Sequence, residues 1–383
     1  MIINIKPVDV LFFRDSKPFS RGNEHFALSL FPPFPQTLYG AIRTKALEYL
    51  GCDYEEFKKG NLIFKNEDKV KEIGLEKIKN ELGNVSSIGT FILKGPLLFH
   101  NNESVYIKLP ADVKKVGNRY QKLHPFEWKN VEFDFGINNY PHFKTENPAK
   151  DVEGYISLRK FIDFYIFNRT TLSKNDIICP GDIYKYERRV GIGVNPETNT
   201  TKEGLLYTML TVRLKDGWSL FAKIENLSAL PNSGFIKFGG ANRVCEYSAI
   251  SDNADPFRFY YGEINNLKNI ISQTKTFKLI FLTPALFNKG WLSEKFNNFE
   301  LRINNLKIKL ITAAINKPNI VSGWDLANNK PKPIRKIVPA GSVYYMQLLE
   351  GSVDELFEKL NFVNFSDENP NLGFGLTLIT GGE

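Results

Sequence analysis

The chain has 383 residues, 42% of them hydrophobic and 13% aromatic, with 50 Lys and Arg against 42 Asp and Glu, a net charge of +8. That supplies two cores of ordinary domain size, and the mildly basic balance permits a polyanionic partner without demanding one. Cys52, Cys179 and Cys245 lie far apart without CxxC spacing, against a disulfide framework or zinc knuckle; no signal-peptide pattern or apolar run near about 18 residues occurs, so a soluble, cytoplasmic, membrane-free protein is expected.

Residues 2–13 alternate into a strand, with Pro7 marking an edge or irregularity, and Arg14, Asp15, Ser16 and Lys17 leave it as a polar loop. Pro32, Pro33 and Pro35 hold the chain extended up to Gln36. Thr37 then reads as the N-cap of a helix with Leu38, Ala41, Ile42, Ala46, Tyr49 and Leu50 on one side and Gly51 as its stop. Arg43 and Lys45 fall off that stripe. Gly40, in the first turn, costs about 1 kcal/mol against Ala, which suggests a close backbone or ligand.

From residue 52 to about 150 the texture changes to Lys/Glu-rich and then polar-aromatic sequence, and this stretch reads as a large insertion. Residues 153–169 have the composition of a helix packed on it. Tyr184–Gly204 places Arg188 and Arg189 before Gly191-Ile192-Gly193 and a polar tip, predicting a projecting loop at about 186–204. Residues 205–214 and 218–224 read as paired strands joined by a Lys215-Asp216-Gly217 turn, and Gly239-Gly240 precede a strand that begins near Arg243. In the second half, strands are predicted over 276–282, 307–314 and 341–349. A short helix follows over 352–360 with a Ser352/Glu355 capping box, and Gly373-Phe374-Gly375 turn into a last strand. Each half is compatible with a ferredoxin-like (RRM-like) α+β sheet packed on helices. The domain reading is 1–255, carrying the insertion and the projecting loop, followed by 256–383.

Enzyme templates find little support. No GxxxxGK[ST], GxSxG or HExxH occurs, and Gly191-Ile192-Gly193 lacks the third glycine of a dinucleotide motif. His100, His124 and His142 are scattered; His25, in the polar loop before the first helix, is the one acid–base candidate. Binding chemistry is better represented. Arg14, Arg43, Arg188, Arg189 and Arg243 sit in or beside polar turns, among glycines and aromatics that suit single-stranded RNA, against the alternative of solvated arginines and glycines needed only for tight turns.

The runs PVDVLFFRDSKPF (7–19) and LFPPFPQTLYGAIRTKAL (30–47) resemble the N-terminal signature of one RAMP-superfamily group, the third subunits of Cmr (type III-B) RNA-guided CRISPR effector complexes. The resemblance continues in order through 188–209, 237–244, 281–291, 322–332, 339–345 and 371–375, leaving 52–150 unmatched. It implies tandem RRM-like domains without catalytic activity. It also implies a scaffold in antiviral defence that holds the 5′ tag of the CRISPR RNA, docks the large polymerase-like Cmr subunit and adjoins a neighbouring RAMP backbone subunit.

Carried over residue by residue, the RNA-binding candidates are Arg14, Lys17, Gly40, Arg43, Lys45, Arg188, Arg189, Gly191, Gly193, Gly239, Gly240, Arg243, Gly373, Phe374 and Gly375. No cofactor of its own or metal is implied, although a nucleotide at the interface with the large subunit is. The alternative reading is a metal-independent RAMP endoribonuclease that processes CRISPR RNA through His25; a third is a protein-binding scaffold with incidental charge. One departure stands out: the tip, Asn199-Thr200-Thr201, offers no cation before Lys202.

Overall fold

The structure, a computed structural model, describes residues 1–14, 26–127, 137, 139–142, 149–195, 197–198, 200–325 and 330–382. Its two compact units are interleaved along the chain: one holds 1–96, 181–250 and 320–335, the other 97–180, 251–319 and 336–383. The elements used below are β1 (Ile2–Pro7), α1 (Pro35–Tyr49), α2 (Leu75–Leu82), β2 (Ile92–His100), β3 (Ser104–Lys108), β4 (Tyr155–Ser157), β5 (Tyr184–Val194) and β6 (Thr201–Leu214). They continue as β7 (Trp218–Glu225), β8 (Ser233–Lys237), β9 (Val244–Ile250), α3 (Arg258–Thr274), β10 (Thr276–Phe281), β11 (Leu306–Ala314), β12 (Val343–Glu350), α4 (Val353–Leu360) and β13 (Thr377–Gly381).

In the first unit β1 is central. It pairs antiparallel with β7, placing Ile3 opposite Ala222, and with β9, placing Ile5 opposite Tyr247. The first half of β2 lies beyond β7, and β8 lies beyond β9. Counting β1, β2, β7 and β9 as four core strands, the order 2-3-1-4 is that of a ferredoxin-like sheet.

The second unit repeats it. β10 pairs antiparallel with β12 and β13, and β11 pairs with β12, so the order is again 2-3-1-4. α4 provides the helix between the third and fourth strands. The fold is α+β, with the ferredoxin-like plan used twice.

The glycine turns occupy matching places. In the first unit the Gly240 amide donates to the Phe12 carbonyl at 2.7 Å, just after the first core strand. In the second, the Gly375 amide donates to the Pro284 carbonyl at 2.7 Å, again just after the first core strand. Both turns need glycine. Gly239 has φ +89°, and a Cβ there would lie 2.5 Å from the Phe12 oxygen; Gly375 has φ +73°, and its Cβ would lie 2.1 Å from the Phe365 oxygen.

Several local expectations are corrected. α1 starts at Pro35 rather than after Thr37, with Phe34 as an N-cap that makes no side-chain cap. Proline is tolerated there because the amide it lacks would have no helical partner in the first turn. The buried face is Leu38, Tyr39, Ile42, Ala46 and Leu47, with Tyr39 stacked on Phe91 at 3.9 Å, so it is turned from the predicted stripe. Gly40 and Arg43 are therefore the sixth and ninth of fifteen helical residues, away from the N-terminal amides.

Residues 153–169 are not one helix: β4 comes first, with Ile156 opposite Ile107 of β3, and only Leu158–Phe161 is α-helical before a π-turn at Ile162–Ile166. The turn at Lys215–Gly217 exists, but β6 and β7 belong to different sheets. The edges of β6 are taken by β5 and by Phe26–Leu28, while β7 pairs with β1. At α4 the Ser352 hydroxyl accepts from the Glu355 amide at 3.1 Å, whereas the Glu355 carboxylate accepts from the Asn305 amide, so half of the capping box forms.

The core of the second unit contains an ionic cluster. Asp112 is 0% exposed and Lys278 is 2% exposed, with Nζ 3.5 Å from Oδ2. Tyr165 and Tyr345 donate to the same Oδ2 at 2.6 and 2.8 Å, and both rings lie 5.0 Å from the Lys278 ammonium. Charge, hydrogen bonds and ring faces together offset the desolvation of the two ions.

Candidate nucleic-acid interface

β5 and β6 form a long antiparallel hairpin in the first unit, paired from Tyr184↔Leu214 to Ile192↔Leu206, with a register shift between Ile192 and Val194. Strand alternation splits β5 into two faces. Tyr186, Val190, Ile192 and Val194 form an exposed apolar row, with Arg188 exposed among them. Glu187, Arg189 and Gly191 stand on the other face. The adjacent arginines read together in the sequence are thus separated by the strand, and among the described residues Arg188 makes only a 3.5 Å contact with the Thr208 hydroxyl.

Gly191 has a packing reason. The Tyr207 ring lies across it, and a Cβ would sit 2.3 Å from that ring. Gly193 falls at the register shift.

On the Arg189 face two carboxylates organise three guanidinium groups. Arg189 donates to Asp9 Oδ2 at 2.9 Å and to Glu187 Oε1 at 3.0 Å through Nη2. Arg213 donates to Asp9 Oδ1 at 2.8 Å and to Glu187 Oε2 at 2.6 Å. Arg243 approaches Asp9 Oδ2 at 3.5 Å. The Arg213 hydrogen bond outweighs the cost of desolvation and, with the Arg189 hydrogen bond and both guanidinium charges, brings the Glu187 carboxyl down to about 2. Asp9 is also lowered: burial opposes the shift, but the Arg213 hydrogen bond and the charges of Arg189 and Arg213 outweigh it. The cluster keeps one net positive charge and holds its cations in place, the preorganisation that phosphate recognition favours.

Sequence reasoning missed Asp9, Glu187 and Arg213. The available signal was Glu187 and Arg189 two residues apart on one strand face, with Arg213 on the following strand.

The other predicted residues are dispersed. Arg14 is exposed and bridges to Ser29 through the backbone, whereas Lys17 and His25 lie outside the described residues. Arg43 is engaged as a clamp: Nε donates to the Leu82 carbonyl at 2.6 Å, and Nη2 donates to those of Asn84 and Ser87 at 2.7 and 3.2 Å. It closes the C-terminal end of α2, and burial pulls its pKa down, opposed by Tyr39. Lys45 pairs with Glu48 at 3.3 Å. Gly40 is exposed, and beyond its own helical turns no described protein atom lies within 4 Å of a Cβ placed there, so no other described backbone comes close.

Gly373 and Gly375 donate their amides internally, to Pro370 and Pro284, and Phe374 is 0% exposed, a core residue rather than a stacking platform. The large sheet aromatics Phe221, Tyr247, Phe277 and Tyr344 are likewise buried; Phe235 on β8 is the exposed one of this group of strands. Among the described residues no cluster of His, Cys, Asp and Glu could hold a metal ion, and no helix is long and apolar enough to cross a membrane.

Tandem ferredoxin-like sheets, with an arginine-bearing hairpin in the first unit, define the class of fold. The chain belongs to the family of CRISPR-associated proteins described as Cas_Cmr3, which it matches over residues 3–381. Among solved structures it is similar to a chain of a type III-B Cmr-beta complex bound to cognate target RNA and AMPPnP, at 17% identity and TM-score 0.47, covering 90% of this chain and 86% of that one. A second structure of Cmr-beta with cognate target RNA gives 18% identity and TM-score 0.47, covering 94% and 89%. The Csm3–Csm4 subcomplex of a type III-A interference complex gives 12% identity and TM-score 0.38, covering 91% and 93%. No curated protein matches the chain. The assignment rests on the family match.

Proposed function

We propose that the protein is the third subunit of a type III-B CRISPR effector, a non-catalytic scaffold that holds the 5′ tag of the CRISPR RNA and docks the large polymerase-like subunit. A neighbouring RAMP backbone subunit is its other partner. The family match over nearly the whole chain carries this reading. The hairpin supports it locally: Arg188 stands exposed among apolar side chains on one face, and Arg189, Arg213 and Arg243 are held by Asp9 and Glu187 on the other. Guanidinium planes beside apolar surface suit splayed bases and the phosphates between them. A nucleotide at the contact with the large subunit belongs to the same reading.

Arg188→Glu is the test, because this residue is exposed and outside the carboxylate network. The substitution weakens binding of tagged guide RNA, more steeply at low salt, and lowers the salt slope. Unchanged affinity and slope for tagged RNA would refute the assignment. Incubation of the purified chain with repeat RNA in EDTA should leave the RNA intact; cleavage lost in His25→Ala would establish the endoribonuclease instead.

A further inference from the structure

The stretch from 52 to about 150 has no role in the tag-binding reading. Three short antiparallel strands from its later part, Val113–Val116, Arg119–Lys122 and Ala149–Asp151, form a small sheet of the second unit with Val113–Val116 in the middle. They carry five cations, Lys114, Lys115, Arg119, Lys122 and Lys150, against one acid, Asp151.

The register sorts these side chains by face. Lys150 lies directly opposite Lys115, and Lys115 directly opposite Tyr120, so one row of three crosses the sheet on one face. Neighbouring strands lie about 4.8 Å apart, so the row spans roughly 10 Å. Two residues along, on the same face, Val113 and Lys122 are buried, and Lys122 donates to the Tyr165 carbonyl at 3.1 Å, which ties the inner end of this face to the core. The outer end is open: Lys150 is exposed, and Lys115 and Tyr120 are partly exposed. Asp151 stands on the other face, where it pairs with Lys114 at 2.7 Å. Among the described residues neither Lys115 nor Lys150 forms an ion pair, and Tyr120 makes no ring contact.

Lysine on the outer strands of a small sheet commonly keeps it from pairing with another chain, and that accounts for Lys150. It does not account for Lys115, whose strand is paired on both sides. Like charges directly opposite each other destabilise a sheet, and an anion bound between them removes the repulsion. The aromatic ring next in the row adds a surface on which a base stacks. Lysine is depleted from the cores of protein–protein interfaces, whereas Lys and Arg contacts to phosphate dominate nucleic-acid affinity. The row therefore fits a nucleic acid better than an acidic protein segment.

We propose that Lys115, Lys150 and Tyr120 form a contact for single-stranded RNA, in which the two ammonium groups take backbone phosphates and the Tyr120 ring stacks on an adjoining base. It goes beyond the tag-binding reading because it requires neither the tag nor Arg188.

The experiment uses the purified full chain, a fluorescently labelled oligouridine in a salt titration, and a 4-thiouridine oligouridine for photocrosslinking. The variant K115Q/K150Q should lower the slope of log affinity against log salt by about 1.4, at about 0.7 for each phosphate no longer neutralised. Tyr120→Leu should weaken binding about fivefold or more with the slope kept, while Tyr120→Phe retains affinity. Crosslinks should map to the strand that carries Tyr120. The control K58Q/K59Q removes the same charge from lysines paired with Glu55 and Glu56, and should leave the slope in place. With the repulsion gone, K115Q/K150Q should unfold at a urea midpoint equal to or above that of the wild type, which separates lost binding from lost folding.

The proposal is overturned if K115Q/K150Q keeps the wild-type slope, if the control loses as much, if Tyr120→Leu binds as the wild type does, or if crosslinks fall outside these three strands. A lowered urea midpoint for K115Q/K150Q overturns the like-charge argument on which it stands. Loss of polyglutamate binding in that variant with oligouridine binding intact would make the surface a dock for an acidic protein segment instead. Arg188→Glu, scored on tagged against untagged RNA, separates failure of the tag-binding reading from failure of this one.

Discussion

Asp112→Ala should be among the most damaging single substitutions in the second unit. The carboxylate is the shared acceptor for the Tyr165 and Tyr345 hydroxyls and the counter-ion of Lys278, and all four side chains are buried. Removal leaves an ammonium 2% exposed without its carboxylate and takes the Asp112 acceptor from Tyr165, while Tyr345 keeps the Leu123 carbonyl at 2.8 Å. Breaking a buried pair from one side costs about 3–5 kcal/mol, and a stranded hydroxyl about 1–3; these overlap, so about 4 kcal/mol is expected. Urea unfolding followed by circular dichroism measures it as a lower midpoint. Lys278→Met in the same chain removes the stranded charge, and the double variant should regain about 2 kcal/mol or more relative to Asp112→Ala. A loss below about 1 kcal/mol for Asp112→Ala, or a double variant no better than the summed singles, would refute the reasoning.

Other perturbations separate fold from function. Gly375→Ala, at φ +73° and 2.1 Å from the Phe365 oxygen, should destabilise by at least about 2 kcal/mol, whereas Gly40→Ala in open space should stabilise by up to about 1 kcal/mol in the same unfolding assay. Reduced RNA affinity in a stable Gly40→Ala protein would show that a ligand approaches that helix. Because the Glu187 carboxyl is lowered from 4.5 to about 2 in the folded chain, its contribution is present above pH 4.5 and lost as pH falls towards 2. Glu187→Gln should therefore flatten the acid limb of the stability–pH curve over that window; an unchanged limb would contradict the network. Thiol labelling of the native chain should modify the exposed Cys179 and spare Cys52 and Cys245, the last pushed up to about 12 by burial, until denaturant is added. Equal labelling of all three in the native state would count against the packing.

The strands and the doubled plan were legible because they rest on local alternation and on glycine turns recurring before each final strand. The start of α1 was misplaced because proline at its first position looks, residue by residue, like a barrier to helix. Residues 155–157 were lost inside a helical pattern for a tertiary reason: their partners on β3 lie about fifty positions earlier. The arginines near turns stand out in the sequence as a group, but composition cannot distinguish Arg43, spent on three carbonyls, from the exposed Arg188. Nor can it assemble the Asp112 cluster, whose members are separated by 53 to 233 positions.

The interleaving of the two units constrains how the chain comes into being. It passes from one unit to the other five times, at 96/97, 180/181, 250/251, 319/320 and 335/336. During synthesis the first unit waits for residues 320–335, and the second waits for β12 and β13, so neither is complete until the ribosome has made most of the protein. Such distant closures slow folding and leave unpaired strand edges exposed in the meantime. A truncation ending near residue 255 would keep residues 97–180 and discard the strands they fold with. The chain should therefore be produced whole.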